Sequence, residues 1–278
     1  MSKKNERPNA DGESQNSLSI HDLIPPAPGD PIRIVPPMIA QDVAAADLKA
    51  SPPANAVYLG GPLIKNVEVF TVFWGYWWQS PTQQPLIDSI NSFFKTILQS
   101  PLIDQISKDY STPQYPIGQG KFIGTATITT PKITHSISDA AIQTVIQSEI
   151  ANGTLPAPDM NKLYFVYLPL GVVAVQGGSR SCQSFCGYHG DISGKIFYAV
   201  MPYAGCQGCV GGMVTLDALT ATSSHELCEA ITDPIPGTGW YNNYHGEIGD
   251  YCAWQMKPAR IGGYMVQKEW SNSANGCV

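Results

Sequence analysis

The run from Met213 to Ile231 constrains this chain more than any other stretch, because it reads as a helix without a solvent side. Val214, Leu216, Ala218, Leu219, Ala221, Ala230 and Ile231 keep it apolar or small along its length, and Pro234 stops it. A helix of that kind belongs inside a core. Yet it carries His225, Glu226 and Glu229, three groups that are costly to bury without partners.

Their spacing suggests a partner. His225 and Glu229 are four residues apart, so they lie one turn above each other on one face and can grip a single metal ion. Glu226 projects about 100° further round, where HExxH zinc enzymes place a general base. Zinc acidifies a water toward about pH 7, and the carboxylate takes its proton. Here Glu229 replaces the second His of that motif, and a carboxylate oxygen is an acceptable zinc ligand.

A third ligand is needed. The loop Gly246-Glu247-Ile248-Gly249-Asp250-Tyr251-Cys252 offers Glu247 or Asp250, and the spacing does not choose between them. His189 and His245 are further donors, read as a structural residue and a surface-loop residue. Cys228 reads as a buried thiol. Tyr241, Tyr244 and Tyr251 flank the loop, and one of them could steady an oxyanion. A calcium site using Glu229, Asp233, Glu247 and Asp250 is the rival, and an imidazole ligand argues against it.

Composition narrows the setting. Of 278 residues, 14% are charged, against 26 Gly and 23 Pro, which describes a loop-rich globular chain. The net charge is -6 and no basic run exceeds Lys3-Lys4, which argues against nucleic acid and anionic membrane as partners. No apolar stretch reaches the roughly 18 residues of a membrane span. All seven cysteines follow residue 180, which points to disulfides and an oxidising compartment. A four-thiolate zinc site from Cys182, Cys186, Cys206 and Cys209 is the competing reading. Residues 1–20 are polar and lack the apolar core of a signal peptide, so an export route is not evident.

Residues 1–55 are rich in Pro, Ala, Asn and Ser and read as a disordered or loosely packed leader to a domain over 56–278. Val67 to Trp74 reads as a buried strand. Ser80 and Pro81 open a helix bearing Leu86, Ile90, Phe93, Phe94 and Ile97, and Leu102 to Ile106 suggests a short second one. Phe122–Thr129, Leu163–Leu168 and Ile196–Val200 read as strands, and Ser138–Ile150 as an amphipathic helix. Interleaved strands and helices predict an α/β domain, with α+β as the variant: a mixed sheet, flanking helices and a disulfide-stapled C-terminal half.

From about Tyr58 onward the chain resembles the exordium, or phosphate-induced protein, family. The resemblance rests on Gly60-Gly61-Pro62-Leu63 with Asn66-Val67, and on Cys182-x3-Cys186-Gly187-Tyr188-His189. It continues in Tyr198-Ala199-Val200 followed by Cys206 and Cys209, then Gly212-Met213-Val214, Ile231-Thr232-Asp233-Pro234, Cys252 and Cys277. Plant members are extracellular, wall-associated proteins linked to growth, and they lack the His and both Glu of the helix. Microbial chains similar to this one carry the HExxE helix with the Gly-Glu-Ile-Gly-Asp loop. In the plant pattern an acid remains at Glu247, whereas Asp250 is unmatched. The resemblance therefore implies Asp250 as third ligand and Glu247 as a supporting residue. It also implies disulfides: the Cys182, Cys186, Cys206 and Cys209 set paired internally or crossed, Cys252 with Cys277, and Cys228 left over.

The expectation is a secreted, zincin-like metallopeptidase holding one zinc ion on His225, Glu229 and Asp250, with Glu226 as base and a peptide or protein as substrate. The alternative is a non-catalytic extracellular wall- or glycan-associated protein, with a structural metal or none.

Overall fold

Period-two alternation divides the central strands between two cores. Val67, Val69 and Phe73 of β1 (Asn66–Trp74) point to one side, while Val72 and Trp74 point to the other. Leu163, Phe165 and Tyr167 of β3 (Lys162–Tyr167) join the first side, and Tyr164 and Val166 join the second. A strand apolar on both faces lies in the middle of a sheet covered on both sides. This is how the computed structural model is built. It describes residues 55–253 and 258–278, and the expected leader over 1–55 lies outside them apart from Asn55.

The main sheet has five strands in the order β2 (Gly118–Ile128), β1, β3, β5 (Ile196–Met201) and β4 (Tyr188–Ile192). Its first four strands run parallel, and β4 pairs antiparallel with β5 at one edge. One face carries α3 (Asp139–Ala151), packed through Ile142, Val145 and Ile146. The other face carries α1 (Gln84–Ile97), α2 (Pro101–Tyr110) and α5 (Thr215–Thr232). The mixed α/β architecture is as the sequence predicts.

Helix ends follow local chemistry. Ser100 caps α2 by accepting from the Leu102 N–H, with Pro101 in the first turn, and Ser138 caps α3 by accepting from Ala141. The Ser80 cap expected for α1 is corrected. Ser80 instead starts a turn, with Gln83 N donating to its carbonyl at 2.9 Å, and the helix begins at Gln84 with Pro85 in its first turn. The short helix expected at 102–106 extends to Tyr110.

Helix α5 is buried at every residue from Ala218 to Thr232. It lies against β4 and β5 on the sheet side and against α1, α2 and a hairpin, β6 (Ala259–Ile261) with β7 (Tyr264–Val266), elsewhere. Pro234 removes the next helical N–H, and the Asp233 carboxylate accepts instead from Gly237, Thr238 and Gly239, closing the C-terminus.

Three disulfides brace the C-terminal half. Cys182–Cys206 and Cys186–Cys209 are crossed, tying the approach to β4 to the short α4 (Gln207–Val210) just before α5. Cys252–Cys277 fixes the loop after Asp250 to the C-terminus, and Cys228 is a buried free thiol. The four-thiolate zinc reading is overturned, because its sulfurs are bonded to one another.

Candidate metal centre

The polar residues of α5 divide into two sets. Ser223 and Ser224 are satisfied: Ser223 Oγ lies 2.8 Å from the Tyr167 hydroxyl, and Ser224 Oγ donates to Ala221 O and accepts from Gln267 N at 2.9 Å. His225, Glu226 and Glu229 face a cluster of further acids. The loop after α5 brings in Glu247 and Asp250, the helix end brings Asp233, and the segment after β7 brings Gln267 and Glu269. His189 enters from β4, opposite Ala199.

The three expected ligands come together. His225 Nε2 lies 3.0 Å from Glu229 Oε1 and 3.9 Å from Asp250 Oδ1, and one donor atom from each of the three falls within 4.8 Å of the others. Asp250 is aimed by its other oxygen, which accepts from the Glu247 N–H at 3.0 Å. Glu247 turns to the far side, with Oε1 3.3 Å from His189 Nε2, so of the two loop acids Asp250 is the one beside His225. Gly249 makes room for this: a Cβ there would sit 2.7 Å from His225 Nδ1 and 2.8 Å from Glu229 Oε1. His245 lies apart, half-buried against the Tyr251 ring.

The electrostatics are one-sided. Glu226, Glu229, Asp233, Glu247 and Glu269 are wholly buried, and the Asp250 side chain keeps 14% exposure. The Lys and Arg ion pairs among the described residues involve Glu68, Asp159 and Asp217, none of them here. Burial pushes Glu226, Glu229, Glu247, Asp250 and Glu269 well above the usual carboxylate range, and each neighbouring acid pushes further. Asp233 is pushed up to about 6 by burial, against the three amides that bind it. Tyr241 is pushed up to about 12, by burial first and then by Asp250 and Glu247. His225 is lowered by burial, with Asp250 and Gln267 opposing, which favours a neutral imidazole.

Buried polar atoms nearly always find a partner. Here His225 Nε2, Glu226 Oε1, Glu229 Oε2 and Glu269 Oε1 make no hydrogen bond. These residues could hold a divalent cation, since a neutral imidazole and several carboxylates are zinc donors. The Gln267 amide nitrogen lies 2.8 Å from both His225 Nδ1 and Gly249 O. Through these two contacts Gln267 fixes the orientation of the His225 ring.

Sequence reasoning weighed His189 as a donor but read it as structural, placed Asp233 only in the rival calcium site, and did not reach Gln267 or Glu269. Two hairpins carry what was missed. Ser193-Gly194 lies in the three-residue connection from β4 to β5, and Gly262-Gly263 forms the two-residue turn from β6 to β7, all four at positive φ as such dipeptides favour. Those pairs were the available signal.

Comparison with known families, curated proteins and solved structures found no match. No helix among the described residues is long and apolar enough to cross a membrane.

Proposed function

We propose that this chain is a zinc-dependent hydrolase of peptide bonds, with zinc held by His225, Glu229 and Asp250 and with Glu226 as general base. The observation that carries the reading is the trio at 3.0 and 3.9 Å with an unpartnered Glu226 oxygen on the same helix. Zinc bound there would supply Lewis-acid polarisation of a carbonyl and acidify water.

The chain's own groups do the rest. Glu226 Oε1 is the acceptor for the proton of the attacking water, and its raised affinity for that proton suits it to return the proton to the leaving amine. His189 Nδ1 lies 3.2 Å from Glu226 Oε2, so the ring sits directly beside that carboxylate. Gln267 holds the His225 ring, and the Glu247 amide holds Asp250. The three disulfides suit an extracellular setting.

One observation favours a second reading. Apart from Asp250, every acid and histidine of the cluster is wholly buried, which suits an ion that braces the fold of a non-catalytic, wall- or glycan-associated protein. That is the role the resemblance to plant exordium proteins suggests. Elemental analysis of the purified full chain, followed by peptide-library cleavage with and without chelator, separates the two. Zinc with chelator-sensitive cleavage is the expected result. Zinc without cleavage selects the structural role, and absence of metal removes the hydrolase and leaves the non-catalytic reading without an ion.

A further inference from the structure

Glu229 faces two ways. Its Oε1 lies toward His225, while its Oε2 lies 3.6 Å from His189 Nδ1, beyond hydrogen-bond reach, and accepts nothing. The same His189 Nδ1 is 3.2 Å from Glu226 Oε2. One donor atom each from His189, Glu226 and Glu229 lies within 4.8 Å of the others, and all three residues are buried. Donors bound at about 2.0–2.1 Å around one tetrahedral ion sit roughly 3.3 Å apart, so this trio fits zinc as well as the first does.

The His189 tautomer adds an independent argument. Its Nε2 lies 3.2 Å from the Asp233 carbonyl, which can only accept, so Nε2 carries the hydrogen. In the neutral ring Nδ1 is then a lone pair, aimed at two carboxylate oxygens. Three acceptors converging in a buried space require a cation or a proton between them. A ring N–H donated to a backbone carbonyl is also how ligating histidines are usually oriented.

We propose that the cluster holds a second divalent cation of the zinc class between His189, Glu226 and Glu229, with Glu229 bridging the two positions. Occupying the second position takes Glu226 away from proton transfer. Resting on the hydrolase reading, this makes excess zinc an inhibitor rather than an activator.

The test is equilibrium dialysis of the chelator-stripped full chain against graded zinc, with zinc counted per chain. The wild type should saturate at two ions, and His189→Gln and His225→Ala at one each. Saturation of the wild type at one ion overturns the proposal, as does a His189→Gln protein that still takes two. The wild-type count alone decides if His189→Gln does not fold. Two ions without any peptide cleavage would leave the second site standing and remove the hydrolase. One ion with cleavage would do the reverse.

Discussion

The two faces of the central sheet treat buried polar groups in opposite ways. On the α3 face, Asp139 Oδ1 accepts from the hydroxyls of Tyr188 and Tyr198 at 2.8 and 2.7 Å, and Gln143 binds its other oxygen. Tyr164 donates to Pro156 O, and the Trp74 indole to Pro131 O. That face is self-sufficient. On the α5 face, six acids (Glu226, Glu229, Asp233, Glu247, Asp250 and Glu269) crowd around two histidines, with orphaned oxygens left over. One chain thus satisfies a half-buried carboxylate with hydroxyls on one side of its sheet and leaves wholly buried carboxylate oxygens without partners on the other. On the reading proposed above, a cation completes the second side.

The comparison breaks most sharply on removal of that component. Chelation should lower Tm by roughly 8–16 °C: an ion present at about a thousand times its Kd adds about 4 kcal/mol, and a fold of this size moves about 2–4 °C per kcal/mol. His225→Ala should lose the tightly held ion and, with it, most of the drop in Tm that chelator causes. An unchanged melting curve on chelation contradicts the comparison.

Glu226→Gln sharpens it next. The amide should leave the His225, Glu229 and Asp250 ion in place while peptide hydrolysis falls by about 10²–10⁴-fold. Steady-state cleavage set beside zinc content checks this, and retained activity removes Glu226 as base.

A pH series on stripped protein follows. A carboxyl whose affinity for its proton is raised by folding contributes stability that is intact below its ordinary value, 4.5 for Glu and 3.8 for Asp, and is lost as pH climbs through the raised value. Glu226, Glu229, Glu247, Asp250 and Glu269 all have that sign, so the stripped protein should lose stability steadily from about pH 5 upward. The zinc-loaded protein should hold its Tm over the same range. Melting curves at several pH values decide it, and a stripped protein that gains stability toward neutral pH contradicts the account.

The smallest effect belongs to the α3 face. Tyr198→Phe deletes one hydroxyl donor to Asp139 and should cost about 1 kcal/mol, or roughly 2–4 °C, with zinc content unchanged. A change in metal binding from that variant would mean the faces are not independent.

How much was legible beforehand differs along the chain in the same way. Buried parallel strands such as Val67–Trp74 and the apolar or small residues along the course of α5 announce themselves by residue type. His225, Glu226 and Glu229 stand out because they interrupt that course. Spacing did not choose between Asp250 and Glu247, and the resemblance pointed to Asp250; the physical reason lies in the loop's fold, where Gly249 and the Glu247 amide set which carboxylate faces His225. His189 joins the cluster only through antiparallel pairing with β5, and Gln267 and Glu269 only through docking of β7 on α5. Contacts spanning forty residues leave no periodic trace in the chain.

The most direct measurement is anomalous diffraction at the zinc edge from crystals of the full chain grown without chelator. A peak within bonding distance of His225 Nε2, Glu229 and Asp250 is the expected result. A map with no peak there, and with the buried acids hydrogen-bonded to one another in its place, would contradict the claim that this fold is built around a cation.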